Sequence, residues 1–123
     1  MEANTRILIA DDHAEVLAAV RDLILEFAGV EVVAITANVE EAVRECERFQ
    51  PDIAFVDAWL SGGGAAVAAM RIKCVSPKTS VIGLASAREV ETVFLLRAAG
   101  AAACYEKAQL SEVLPGILAA TRR

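Results

Sequence analysis

The chain has 123 residues, 56% of them apolar and 24% charged, which is enough for one domain with its own core and too hydrophobic for intrinsic disorder. Twelve Lys and Arg against seventeen Asp and Glu leave a formal charge of −5 at pH 7, without the basic footprint by which a domain grips DNA or RNA. Cys46, Cys74 and Cys104 are scattered with no CxxC pair, and His13 is the single histidine. That pattern argues against a disulfide framework and against a Cys/His zinc site, and for small apolar fillers in a reducing cytoplasm. The opening Met1-Glu2-Ala3-Asn4-Thr5-Arg6 lacks the apolar run of a signal peptide. Uncharged stretches such as Ala98 to Tyr105 fall far short of the roughly 18–20 residues of a membrane span. The expectation is a cytoplasmic domain with no membrane contact.

Short apolar runs alternate with longer amphipathic ones. Ile7-Leu8-Ile9-Ala10 predicts a buried strand, ended by Asp11 and Asp12. From Glu15 to Phe27 the apolar positions follow helical spacing, with Gly29 as the stop. Val30 to Ile35 is rich in β-branched residues and reads as the second strand. Asn38 and Glu41 form a capping-box pattern that opens a helix to about Phe49, broken by Pro51. Ile53 to Val56 is a third apolar strand with Asp57 at its end. A glycine run at 62–64 leads into a helix from about Ala65 to Cys74, in which Ala65 to Ala69 suit tight packing on a sheet. Val81 to Leu84 is strand four, ending near Ser86, and a helix from Glu89 to Ala99 follows. Ala102 to Tyr105 forms strand five, and Ser111 caps a last helix that Pro115-Gly116 should weaken. Five strand–helix units predict a doubly wound parallel α/β sheet with helices on both faces, its strands apolar at nearly every position.

Ligands of such sheets bind beyond the carboxyl ends of the strands, where strand order reverses. Asp11 and Asp12 follow strand one and Asp57 follows strand three; in a 2-1-3-4-5 order these carboxylates converge. Clustered carboxylates repel one another, so they call for protonation or a bound cation, and an all-oxygen set favours Mg²⁺. Strands four and five end at Ser86 and Lys107, a hydroxyl and an ammonium suited to phosphoryl oxygens. A carboxylate can itself be the nucleophile that forms an aspartyl phosphate. Each residue alone has a plain reading as a turn, a cap or a solvated charge; their coincidence at one sheet edge favours phosphoryl chemistry.

Ala10-Asp11-Asp12-His13, then Asp57, Ala85-Ser86-Ala87 and Tyr105-Glu106-Lys107 resemble, in order and spacing, the receiver domain of two-component response regulators. The resemblance runs from Arg6 to about Ala120 and treats the whole chain, 1–123, as one receiver domain. It implies a five-stranded flavodoxin-like sheet of order 2-1-3-4-5. It also implies that Asp57 is the phosphoacceptor, taking its phosphoryl group from a sensor histidine kinase. Asp12, Asp57 and the backbone carbonyl of Trp59 would ligate Mg²⁺, with Asp11 acting through a water. Ser86 and Lys107 would engage the phosphoryl group, and Ser86 and Tyr105 would be the switch residues. The output would be a conformational switch and not an enzyme's turnover. Asp-Asp-His after strand one, the Val30 to Val33 strand and Ala98-Ala99-Gly100-Ala101 look most like the subgroup with a C-terminal helix-turn-helix output domain. That likeness implies control of transcription, with DNA bound through such a domain. Any homodimer contact would lie on the face of helix four, strand five and helix five.

Departures from the family pattern follow Asp57. Leu60-Ser61 stand where Met-Pro is usual, and three glycines come after them, predicting a looser loop and a less firmly anchored Trp59 carbonyl. Trp59, Ala87 and Arg88 stand at the pocket rim, and Trp59 with Arg88 is expected to shield an acyl phosphate from water. Two alternatives remain: a stand-alone or phosphorylation-independent interaction module, and an aspartyl-nucleophile phosphatase. That class typically carries its second Asp two residues after the nucleophile, whereas Asp11 and Asp12 are adjacent. Neither GxGxxG nor GxxxxGK[ST] occurs.

Overall fold

The computed structural model describes residues 4–86 and 90–121. Five strands, β1 (Thr5–Ala10), β2 (Val30–Thr36), β3 (Ile53–Asp57), β4 (Ser80–Ala85) and β5 (Ala103–Glu106), alternate with α1 (Ala14–Leu25), α2 (Val39–Phe49), α3 (Gly64–Val75), α4 (Val90–Ala98) and α5 (Leu110–Thr121). The strands form one parallel sheet of order β2-β1-β3-β4-β5, the expected doubly wound arrangement. The expected start of the fourth helix at Glu89, and the rim residues Ala87 and Arg88, lie outside the described residues.

Alternation along the strands divides the core between two faces. Ile7, Ile9, Ile53 and Phe55 point to the side covered by Val20 and Ile24 of α1 and Leu110, Leu114 and Leu118 of α5. Leu8, Ala10, Ala54 and Val56 point to the other, against Val39, Ala42, Val43 and Cys46 of α2 and Ala65, Ala68, Ala69 and Ile72 of α3. Of the stretch Ala65 to Ala69, Ala66 is half-buried and Val67 exposed, while Ala65, Ala68 and Ala69 are buried as expected and their small side chains bring α3 close to the sheet. Gly83 does the same for α4. A Cβ there would stand 2.7 Å from Leu96 Cδ1, so only glycine lets Leu96 seat against β4.

The helix boundaries follow from local chemistry. Asn38 caps α2 by accepting the Glu41 N–H at 2.9 Å, as the pattern predicts. Glu41 reaches back to the Ala37 N–H at 3.2 Å, one residue before the cap. Gln50 ends α2 in the left-handed region, φ 48°, because Pro51 disfavours a helical conformation for the residue before it. α1 ends at Leu25, two residues before the predicted Phe27, and closes in a turn where the Phe27 N–H donates to the Ile24 carbonyl.

Two expectations for α5 are corrected. Its start is set not by Ser111 but by a 3₁₀ turn, Lys107–Gln109, with a Glu106/Gln109 capping box in which the Gln109 side chain accepts the Glu106 N–H at 3.0 Å. Pro115 does not interrupt the helix, which runs through it to Thr121. Burial of Leu110, Leu114 and Leu118 on one stripe outweighs the single backbone hydrogen bond that proline removes.

Candidate functional site

The carboxyl ends of β1 and β3 lie side by side, with Ala10 in register with Val56. Asp11 and Asp57 therefore emerge next to each other, both buried, while Asp12 stands exposed at the rim. Lys107 enters from the turn after β5 and bridges the two buried acids, its Nζ 2.6 Å from Asp57 Oδ1 and 3.1 Å from Asp11 Oδ2. Burial by itself would lower the lysine's pKa, but its hydrogen bonds to Asp57 and Asp11 outweigh this and hold it above the ordinary value.

The other oxygens are also engaged. The Trp59 N–H donates to Asp57 Oδ2 at 3.1 Å, and the His13 N–H donates to Asp11 Oδ1 at 2.9 Å. His13 Nδ1 lies 3.2 Å from Asp11 Oδ1 and 3.1 Å from Asp12 Oδ1. The Ser61 hydroxyl donates to Asp12 Oδ2 at 2.6 Å. That bond, helped by the His13 and Lys107 charges, pulls the Asp12 carboxyl below the usual range. One ligand atom from each of Asp11, Asp12, His13 and Asp57 lies within 4.8 Å of all the others.

The loop after Asp57 is tied down more firmly than its glycines predict. Leu60 is 1% exposed in the core on the α2–α3 side. The Leu60 N–H donates to the Asp57 carbonyl, the Gly64 N–H to Leu60 and the Ala65 N–H to Ala58, and the Val39 N–H at the start of α2 donates to Ser61. Gly64, at φ 80°, is what permits the fold-back: a Cβ there would stand 2.9 Å from the Ala58 carbonyl oxygen.

The structure thus brings Asp11, Asp12, Asp57 and Lys107 together as the sequence predicts. Ser86 is exposed at the bend after β4, two residues past Leu84, the register partner of Asp57. Tyr105 is half-buried on the α1–α5 side, packed against that core and lining a groove with Val113 and Ile117. Trp59 is 71% exposed, and its side chain borders a groove with Gly63, Ala66, Thr92 and Leu95 between α3 and α4. Two participants escape the sequence reading. Ser61 figures there only as a departure from the family pattern, since its bond to Asp12 spans 49 positions. His13 figures there within the Ala10-Asp11-Asp12-His13 motif with no role for its ring, although its place directly after two acids was the available signal.

Comparison with known proteins agrees with this geometry. The chain is 30% identical over 106 residues to a protein-glutamate methylesterase/protein-glutamine glutaminase of Geobacter metallireducens, covering 85% of this chain and 30% of that protein's length. It therefore spans about a third of that curated relative. Among solved structures it is similar to a LuxR-family two-component response regulator from Aurantimonas sp. SI85-9A1, with 28% identity, a TM-score of 0.87 and coverage of 98% of this chain and 89% of that one. The signal receiver domain of the putative response regulator NarL from Mycobacterium tuberculosis shares the fold, with a TM-score of 0.87 at 20% identity over 96% of this chain and 98% of that one. Residues 7–118 match the response regulator receiver domain family, and the chain belongs to it.

Proposed function

We propose that this chain is a phosphorylation switch in which Asp57 accepts a phosphoryl group from a phosphohistidine of a sensor histidine kinase. The observation that carries this reading is the setting of Asp57: a buried carboxylate at the end of β3, with an ammonium at 2.6 Å and two further carboxylates beside it. In the transfer an Asp57 oxygen bonds to phosphorus as the kinase's phosphorus–nitrogen bond breaks. The electron pair stays on the imidazole, which then takes up a proton.

Three carboxylates against the single Lys107 ammonium leave an excess of two negative charges. A set of oxygens with that excess fits a hard divalent cation. Asp12, Asp57 and the Trp59 carbonyl would hold Mg²⁺, with Asp11 acting through a water. Bound there, Mg²⁺ supplies charge neutralisation for the phosphoryl oxygens. Lys107 and the Trp59 N–H fix the Asp57 carboxylate in one orientation. After transfer the ammonium turns to the phosphoryl oxygens, and Ser86 donates to them from the end of β4. Those contacts, made in one conformation only, bias a pre-existing equilibrium in which Tyr105 changes rotamer.

We assign the chain to the cytoplasm; no described helix is long and apolar enough to cross a membrane. Likeness to a LuxR-family response regulator supports control of transcription as the output, through a DNA-binding segment outside these residues. Any homodimer would pair through α4, β5 and α5. Incubation with Mg²⁺ and a small acyl phosphate, alongside a generic phosphate ester, tests the switch against a hydrolase. One phosphoryl group per chain with no sustained ester turnover is expected. Continuous turnover that depends on Asp57 would make the chain an aspartyl phosphatase.

A further inference from the structure

We propose that His13 is a nitrogen donor to the ion held by Asp11, Asp12 and Asp57, and that it biases this site toward first-row transition ions such as Zn²⁺. The inference rests on the reading that the carboxylate cluster is a metal site, and it concerns which ions that site prefers. Donors at about 2.0–2.2 Å around one ion lie within roughly 4.4 Å of one another. The ligand atoms of the four residues already lie within 4.8 Å of one another, so small side-chain adjustments suffice.

The imidazole is placed there by the backbone. His13 is the N-cap of α1 in an extended conformation, φ −104° and ψ 107°, and its N–H is held by Asp11 at 2.9 Å. Its side chain is 67% exposed, so packing does not explain why Nδ1 is turned onto two carboxylate oxygens at 3.1 and 3.2 Å. The scattered cysteines rule out a Cys/His zinc site. A carboxylate-rich set with one imidazole is a different class, of the kind that holds Zn²⁺ and other borderline ions. Carboxylates and water alone suit Mg²⁺. Zn²⁺ outbinds Mg²⁺ on most donor sets, so the signature of ligation is the part of that preference that depends on His13.

The alternative is that His13 only donates a hydrogen bond to the acids, and the two roles separate experimentally. His13 is the sole histidine and Trp59 the sole tryptophan; the chain is used without a histidine tag and with Cys74→Ser, because that thiol is exposed. Zn²⁺ should move the imidazole ¹⁵N signal of Nδ1 to a coordinated position, whereas Mg²⁺ should not. His13→Asn, which keeps a good N-cap, should lower the Zn²⁺-to-Mg²⁺ affinity ratio, read from Trp59 emission, by about tenfold or more. Ring signals that ignore Zn²⁺, or a ratio that moves less than this, would overturn the proposal. Mg²⁺ that binds normally while the ring ignores Zn²⁺ overturns this inference alone. Failure of Mg²⁺ to bind overturns the magnesium reading, and the Zn²⁺ response of the ring still decides this one.

Discussion

Lys107 Nζ stands 2.6 Å from Asp57 Oδ1 and also reaches Asp11 Oδ2 at 3.1 Å, so one ammonium offsets two carboxylates buried at the ends of adjacent strands. Like charges so close call for a counter-charge or a shared proton between them. The lysine therefore has a structural duty before any phosphoryl group arrives, and the same atom is at hand when one does.

Lys107→Met keeps the side chain's length and removes its charge, leaving Asp11 and Asp57 facing each other. Without divalent ions it should destabilise the fold by about 2 kcal/mol, below the ~3–5 of a fully buried pair because Lys107 keeps some solvent contact. Mg²⁺ should restore part of the loss. Urea denaturation with and without Mg²⁺ checks both; an unchanged midpoint would remove the lysine from this role.

Burial in the core between α2 and the sheet pushes the Cys46 thiol up to about 12. A group that resists ionisation in the folded state contributes stability below its unfolded value near 9, which is lost as pH rises from there toward 12. Lys107, also raised, holds its contribution below 10.5 and loses it as pH climbs through its higher folded value. Alkaline unfolding should therefore set in above pH 9, with a shallower slope in Cys46→Ala despite that variant's lower baseline. In the native protein at pH 8 a thiol reagent should modify exposed Cys74 and leave buried Cys46 and Cys104 alone.

Ser61→Ala removes the hydroxyl at 2.6 Å from Asp12, so the Asp12 carboxyl should rise back toward 3.8. Because its folded pKa is depressed, Asp12 contributes stability above that ordinary value and loses it as pH falls through the folded one. The variant should lose that contribution. Carbon-13 titration of the Asp12 carboxyl in metal-free protein reads the shift; an unmoved titration would deny Ser61 this hold.

Trp59 is 71% exposed two residues past Asp57, and an indole that swings over that carboxylate should slow attack of water on an acyl phosphate. Trp59→Asn should shorten the lifetime of the phosphorylated chain severalfold, followed by intact mass over time. An unchanged lifetime would leave the indole to the groove between α3 and α4.

The sheet and its order are legible in the sequence because the strands are apolar at nearly every position and four of the five carry the polar residues of the site at or just after their carboxyl ends. Asp11, Asp12, Asp57 and Lys107 are legible for the same reason. Contacts decided by tertiary geometry are not. Ser61 reaches Asp12 across 49 positions, and no local signal marks it. The glycines at 62–64 read as looseness, although a buried Leu60 and four loop hydrogen bonds fix that segment. Pro115 reads as a break, although the leucine stripe of α5 carries the helix through it.

Intact-mass measurement after incubation with Mg²⁺ and a small acyl-phosphate donor tests the central claim most directly. The account predicts a gain of one phosphoryl group in the wild-type chain, abolished by Asp57→Ala and by removal of Mg²⁺ with a chelator. An unmodified wild-type mass, or labelling that survives Asp57→Ala, would contradict it.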